Sequence, residues 1–293
     1  MTEPRSRRGA VEWAREDERP REPVIDVLVP TSGRITELAA VLAGLAAQDD
    51  PAFHVTVSDQ SDGHALADDP TVQAMLRVLA VQGRTPEVVR HLPRRGLAEH
   101  RDWLLRRATA EYVLFLDDDV WLEPGTLQAL TEAIEQLDCG FVGAAQQGLS
   151  YLRDRRPEEQ RPFQPWVDGV HPERLRLGTP GTERWTLHNA ANLVHIAADS
   201  DLQPNDWLAY RVAWVAGCVL YRREALLQAG GFDFWRDLPP EHAGEDVAAQ
   251  WRVMERFGGA GLLPSGAVHL ETPTTIPDRT VDAPGVVFAD EAN

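Results

Sequence analysis

An α/β fold is predicted for this chain, with a mostly parallel sheet and helices on both of its faces. Two observations carry that reading. Short apolar, β-branched runs alternate along the chain with helix-period segments of about ten residues or more. The clearest of those runs, Tyr112 to Leu116, is apolar throughout rather than alternating, as strands buried on both faces are. At 293 residues the chain is long enough to bury a substantial core, as one large domain or two small ones.

The elements follow in order. Residues 1–22 are charged, with Val11 and Trp13 as their large apolar anchors, and read as a tail. Val24-Ile25-Asp26-Val27-Leu28-Val29, closed by Pro30, reads as a buried strand. The turn Thr31-Ser32-Gly33 leads into helical apolar spacing from Ile35 to Gln48. Phe53 to Ser58 is a second strand, ending at Asp59 before the turn Asp62-Gly63. A helix around Val72 to Val81 and a strand over Glu87 to Leu92 come next. Leu97 to Ala110 reads as a helix, and Tyr112 to Leu116 is the clearest buried strand in the chain. A helix over Gly125 to Leu137 precedes a segment, about 146 to 208, rich in Arg, Pro, Trp and His with weak periodicity. Order returns with a strand over Ala213 to Tyr221 and helices over Arg223 to Ala229 and Val247 to Phe257. Residues 273–293 read as a Pro- and Asp-rich tail.

Composition removes several function classes. The formal charge of −17 argues against sequence-independent nucleic-acid binding, which needs a basic face. All 29 basic residues are arginine, so no P-loop lysine, Schiff-base lysine or lysine general base exists here. Cys139 and Cys218 form no metal-binding pattern and no disulfide framework. No apolar run is long enough to span a membrane and the charged N-terminus lacks a signal-peptide core, so the expected location is cytoplasmic.

The chemistry-bearing residues sit at element ends. Asp117-Asp118-Asp119 directly follows the strand that ends at Leu116. Open α/β sheets bind ligands outside the carboxyl ends of their strands. Three adjacent carboxylates need a cation among them, and Mg²⁺ or Mn²⁺ favours oxygen ligands shared with substrate phosphates. In extended backbone Asp117 and Asp119 point to the same side. Glu245-Asp246 opens a helix, where a carboxylate is favoured by the dipole and caps free amides, so Asp246 also reads as an N-cap. Trp166, Trp185, Trp207 and Trp214 read either as packing for a loop-rich region or as a platform for stacking on an acceptor.

Taken together, these segments resemble family-2 glycosyltransferases of GT-A fold. YVLFLDDDVWLEPGTLQAL resembles that family's DXD segment, which implies Asp119 as a direct metal ligand and Asp117 or Asp118 on the ribose or a metal-bound water. DVLVPTSGR resembles the first strand and nucleotide loop, implying that Pro30, Thr31 and Arg34 line the base pocket. VTVSDQSDG resembles the second strand, with Asp59 as the nucleobase contact. RRGLAEHRDWLLRRATAEY matches through Arg101, implying Arg101 as a donor-nucleotide contact, although Asp102 stands where the family has asparagine. VAGCVLYRREALLQAGGFD, containing Gly217, followed by Glu245-Asp246, resembles the acceptor half and its ED motif, with Asp246 as general base. His269 lies where the family places a histidine metal ligand.

The resemblance implies a GT-A-type Rossmann-like sandwich, with residues 23–145 as the nucleotide-sugar half and 146–272 as the acceptor half. It implies a Mn²⁺- or Mg²⁺-dependent, inverting transfer from a nucleoside-diphosphate sugar, with uridine the expected base, to a small-molecule or glycan acceptor. Trp185, His188, Asn189 and Gly217 are the acceptor candidates, with Asp117 a further metal candidate. A haloacid-dehalogenase-like phosphatase and a sugar-1-phosphate nucleotidyltransferase share parts of this pattern, but both expect a lysine that is missing. The remaining alternative is a glycosyltransferase-like scaffold without catalysis.

Overall fold

The computed structural model describes residues 22–63, 65–188, 192–203, 205–276 and 279–289. The expected N-terminal tail therefore lies, but for Glu22, outside the described residues. The strands are β1 (Ile25–Thr31), β2 (Phe53–Asp59), β3 (Pro86–Arg90), β4 (Tyr112–Leu116), β5 (Val120–Leu122), β6 (Phe141–Gly143), β7 (Gln147–Gly148), β8 (Leu208–Tyr210), β9 (Cys218–Arg222), β10 (Gly259–Leu263) and β11 (Ala267–His269). The helices are α1 (Ile35–Ala46), α2 (Pro70–Val81), α3 (Leu97–Leu105), α4 (Thr126–Leu137), α5 (Pro157–Gln160), α6 (Asn192–Ala198), α7 (Arg223–Gln228), α8 (Glu245–Phe257) and α9 (Ala283–Val287).

Among the described residues an eight-stranded sheet runs β3-β2-β1-β4-β9-β6-β10-β8. The strands β3, β2, β1 and β4 are mutually parallel, β10 is parallel to β6, and β9 and β8 run against their neighbours. Period-two alternation sorts the central strands between two cores. Ile25, Val27, Val29, Tyr112, Leu114 and Leu116 pack with α1, α2 and α4 on one face. Leu28, Val113 and Phe115 pack with α3, α7 and α8 on the other. Both cores are closed, which is why these strands are largely apolar.

The chain leaves β1 toward β2 and β3, then crosses back to place β4 on the other side of β1. That reversal is the topological switch point, and the crevice it opens lies at the carboxyl ends of β1 and β4. A second, three-stranded sheet, β5-β11-β7, stands beside that crevice. Its register sets His269 opposite Val120, the residue after Asp119.

Three expectations shift. The helix read to Ala110 stops at Leu105, because the amides of Thr109 and Ala110 turn to donate to the Asp26 carboxylate at 2.6 and 2.8 Å. The strand read from Ala213 starts at Cys218. Its first residues bond instead to α8 side chains: Trp251 Nε1 donates to Ala213 O at 2.8 Å, and Gln250 bonds both the N–H and the carbonyl of Val215. The C-terminal stretch read as a tail contains α9, with Phe288 stacked 5.9 Å from Trp251 and under the Arg176 guanidinium. Its proline-rich composition hid an apolar set, Val281, Ala283, Val287 and Phe288, that closes over α8. No helix among the described residues is long and apolar enough to cross a membrane.

Candidate active site

The acidic run occupies the switch-point crevice and is held by arginines. Asp117 N donates to the carbonyl of Gly217 at 2.8 Å, tying the start of the run to the strand beside it. Gly217 has φ +77°, a backbone conformation that side-chain-bearing residues rarely adopt, so this turn favours glycine. Thr31 Oγ1 donates to Asp118 Oδ2 at 2.7 Å. Arg34 Nη1 bridges Asp118 Oδ1 at 2.7 Å and Asp119 Oδ2 at 2.6 Å, while its Nη2 donates to the Pro273 carbonyl. Thr272 Oγ1 adds a 3.0 Å bond to Asp119 Oδ2.

These contacts separate two neighbouring carboxyls. Burial pushes Asp118 up to about 6, with Thr31 and Arg34 pulling it back. Burial also opposes ionisation of Asp119, but His269, Arg34 and Thr272 together hold it below the ordinary carboxylate range. Burial works against the Arg34 charge too, and Asp118 and Asp119 more than offset it.

The second acidic pair comes from α8. Gly244, at φ +76°, delivers Glu245 and Asp246 into the first helical turn, and Asp246 Oδ1 accepts the Val247 N–H at 2.8 Å. Arg101, almost wholly buried, links the two acidic elements: Nη2 bonds Asp117 Oδ1 at 2.9 Å and Nε lies 3.0 Å from Glu245 Oε1. Burial penalises its charge, yet Asp117, Glu245 and Asp246 hold it firmly protonated. Burial first, and Glu245 second, push the Asp246 carboxyl well above its ordinary value, with Arg101 acting in the other direction.

Asp119 Oδ2 and His269 Nε2 lie 3.4 Å apart. At that spacing an oxygen and an imidazole nitrogen can share one divalent ion with bonds of about 2.1 Å. Two features compete with such an ion. Arg34 already neutralises Asp119, and His269 Nδ1 accepts the Glu271 N–H at 3.1 Å, which leaves the neutral ring's proton on Nε2. Asp117, expected as a further ligand, is paired with Arg101. Among the described residues no three His, Cys, Asp or Glu side chains surround a common point. The Asp119–His269 pair thus fits a divalent ion in donor type and spacing, on condition that Arg34 withdraws and His269 exchanges tautomer.

Other expected residues fall as follows. Pro30 lies in β1 opposite Ser58. Asp59 is 1% exposed and spends both oxygens on backbone amides, Ser61 N at 2.7 Å and Leu66 N at 2.9 Å. Asp102 accepts from Arg106 Nε at 2.8 Å and Trp235 Nε1 at 3.2 Å, so the residue that departs from the family pattern braces α3. Trp185 packs between Trp214 and Trp251 at ring distances of 5.4 and 6.4 Å. His188 lies 3.9 Å from the Trp214 ring and is pushed to about 4 by burial and by the nearby cations His269 and Arg279. Asn189 lies outside the described residues. Sequence reasoning missed Thr272, the Pro273 carbonyl and the role of Arg101 as a link; only the pairing of β11 with β5 would have revealed the first two.

A mostly parallel sheet whose switch point carries three adjacent aspartates, faced by a helix-borne Glu-Asp pair, has the arrangement of a GT-A nucleotide-sugar fold. Residues 26–198 match the family described as Glycosyl transferase family 2, and the chain belongs to that family. Among solved structures it is similar to the mannosyltransferase PcManGT from Pyrobaculum calidifontis in complex with GDP-Man and Mn²⁺, at 18% identity and a TM-score of 0.53, covering 91% of this chain and 64% of that one. It is similar also to S. aureus TarS 1-349 in complex with UDP-GlcNAc, at 18% identity and a TM-score of 0.53, covering 86% of this chain and 60% of that one. This chain thus spans less than two thirds of either. No curated protein matches it.

Proposed function

We propose that the protein transfers a glycosyl group from a nucleoside-diphosphate sugar to an acceptor hydroxyl, with inversion. The observation that carries this reading is the Arg101 bridge, which ties the acidic run at β4 to the Glu-Asp pair of α8 across a single crevice. In the reaction the bond from the anomeric carbon to the diphosphate oxygen breaks, and the diphosphate departs with the electron pair. The acceptor oxygen attacks from the opposite face, and Asp246 takes its proton, a role suited to its raised basicity. Thr31, Arg34, Asp117 and Asp118 line the donor side, with Arg34 available to the diphosphate once it leaves Asp119. Mn²⁺ or Mg²⁺ on Asp119 and His269 would neutralise charge on the leaving diphosphate. Uridine is the expected base. The GDP-Man and UDP-GlcNAc of the two structural neighbours share the diphosphate this site would grip. Trp185, His188 and Gly217 border the acceptor side, where a small hydroxylated molecule or glycan would sit.

The test is a thermal-shift panel of UDP, dTDP, GDP and CDP, each with Mn²⁺, Mg²⁺ or chelator, on the wild type and Asp119→Ala. A ligand bound only by the native state raises the melting temperature by mass action. Stabilisation by one nucleotide that needs both metal and Asp119 supports the reading, and the absence of any shift refutes it.

A further inference from the structure

The loop that leads into α8 is pinned residue by residue. His242 is 2% exposed and spends both ring nitrogens on backbone: Nδ1 lies 2.7 Å from Pro239 O, and Nε2 lies 3.1 Å from Ala98 N. An amide N–H only donates and a carbonyl only accepts, so this ring is neutral and carries its proton on Nδ1. Ala243 is tied to the C-terminal segment, its N–H donating to Val281 O at 3.0 Å and its carbonyl accepting from Ala283 N at 2.8 Å. Two residues on, Glu245 Oε1 lies 3.0 Å from Arg101 Nε, and Asp246 comes next.

The His242 bond ends on the helix that carries Arg101. Ala98 is the second residue of α3, so its N–H has no partner within the helix, and Gly96, ahead of the helix, has no side chain to cap it. His242 caps that amide from 144 residues away. Gly96 leaves the space for it: a Cβ there would stand 2.5 Å from the His242 ring and 2.8 Å from Pro240 O. Helix α3 and the loop are thus joined twice with equal spacing, at Ala98–His242 and, three residues further along each element, at Arg101–Glu245.

We propose that His242 is a positioning residue, which fixes the loop against the start of α3 and so sets the register in which Arg101 holds the Glu245-Asp246 pair against Asp117. Its catalytic consequence rests on the glycosyltransferase reading above, whereas the register is a property of the fold. A ring of similar shape without nitrogens leaves the Ala98 N–H and the Pro239 carbonyl buried and unmatched, which frees the loop to shift.

The test compares the full chain with His242→Phe, which keeps a ring, and His242→Gln, whose amide keeps one polar partner. The first readout is solvent exchange of the Arg101 Nε–H by NMR, its signal identified by its loss in Arg101→Lys; in the wild type that atom is sealed from water. The second is turnover of UDP-glucose, UDP-GlcNAc and GDP-mannose with Mn²⁺, hydrolysis included. His242→Phe should speed the exchange and lower kcat by about tenfold each, with the affinity for UDP and GDP unchanged, and His242→Gln should do so by about threefold. A variant that melts cooperatively yet keeps the wild-type exchange rate and kcat would overturn the proposal, because the bond would then cap α3 and nothing more. If the phenylalanine variant does not fold, the glutamine variant is held to the same criterion. A wild type that binds neither UDP nor GDP and turns over none of the donors would sink the glycosyltransferase reading, while the exchange rates would still decide whether His242 sets the register.

Discussion

Replacing Asp246 with Asn should make the protein more stable and nearly inert, with the gain in stability growing as pH rises. In the folded protein the Asp246 carboxyl is pushed from 3.8 up to about 8, first by burial and then by Glu245. A carboxyl with a raised native pKa holds its proton more tightly folded than unfolded. Its contribution to stability is therefore lost as the pH climbs from about 4 to about 8, and is flat above that. A rise of about four units at ~1.36 kcal/mol each sets a ceiling of roughly 5–6 kcal/mol. Asp246 keeps some contact with solvent and faces Arg101, so about half that ceiling, ~2–4 kcal/mol, is the expected cost of its charge. Asparagine has the same shape and no charge, so near pH 8.5 the variant should melt roughly 5–12 °C higher, with little gain near pH 4.5. Its turnover should fall by about 10²–10⁴, as expected for loss of a general base, and wild-type turnover should decline as the pH drops below about 8. Thermal melts across this pH range, paired with initial rates, give both readouts. A stability difference that is independent of pH, or larger in acid, would refute the buried-charge argument, and retained turnover would remove Asp246 from the base role.

Two further outcomes follow from the same geometry. Because Arg34 and a divalent ion compete for Asp119, Arg34→Ala should tighten Mn²⁺ binding on the order of tenfold, by titration, while weakening nucleoside-diphosphate binding; weaker metal binding in the variant would show that Arg34 assists rather than competes. Gly217→Ala puts a Cβ on a residue at φ +77°, so it should cost about 1–3 kcal/mol and displace Asp117. Unfolding in denaturant would measure the first effect, and turnover falling further than stability predicts would report the second.

The donor half was legible because its signals are local. Strands β1 and β4 are largely apolar on both faces. The acidic residues at the ends of β4 and the start of α8 were legible for the same reason. What escaped the sequence was pairing at long range. Strands β5, β7 and β11 are two or three residues long, too short to carry a period, yet their register alone brings His269 beside Asp119. Nothing local announces that Ser61 and Leu66 will turn their amides onto Asp59. The role of Arg101 as a link could not be read locally, because its two carboxylate partners lie on elements far apart in the chain.

The order in which the site's charges leave the ribosome is also set by this chain. Arg34 and Arg101 precede the three aspartates, whereas His269, Thr272 and Pro273 follow them by more than half the chain's length. Domains begin to fold during synthesis, and a nascent sheet carrying three bare carboxylates at its switch point would repel itself. With Arg34 on Asp118 and Asp119 and Arg101 on Asp117, each aspartate has a guanidinium partner as soon as β4 can join β1. Chain order alone would let the two arginines act as provisional counter-ions before the residues that complete the site are made.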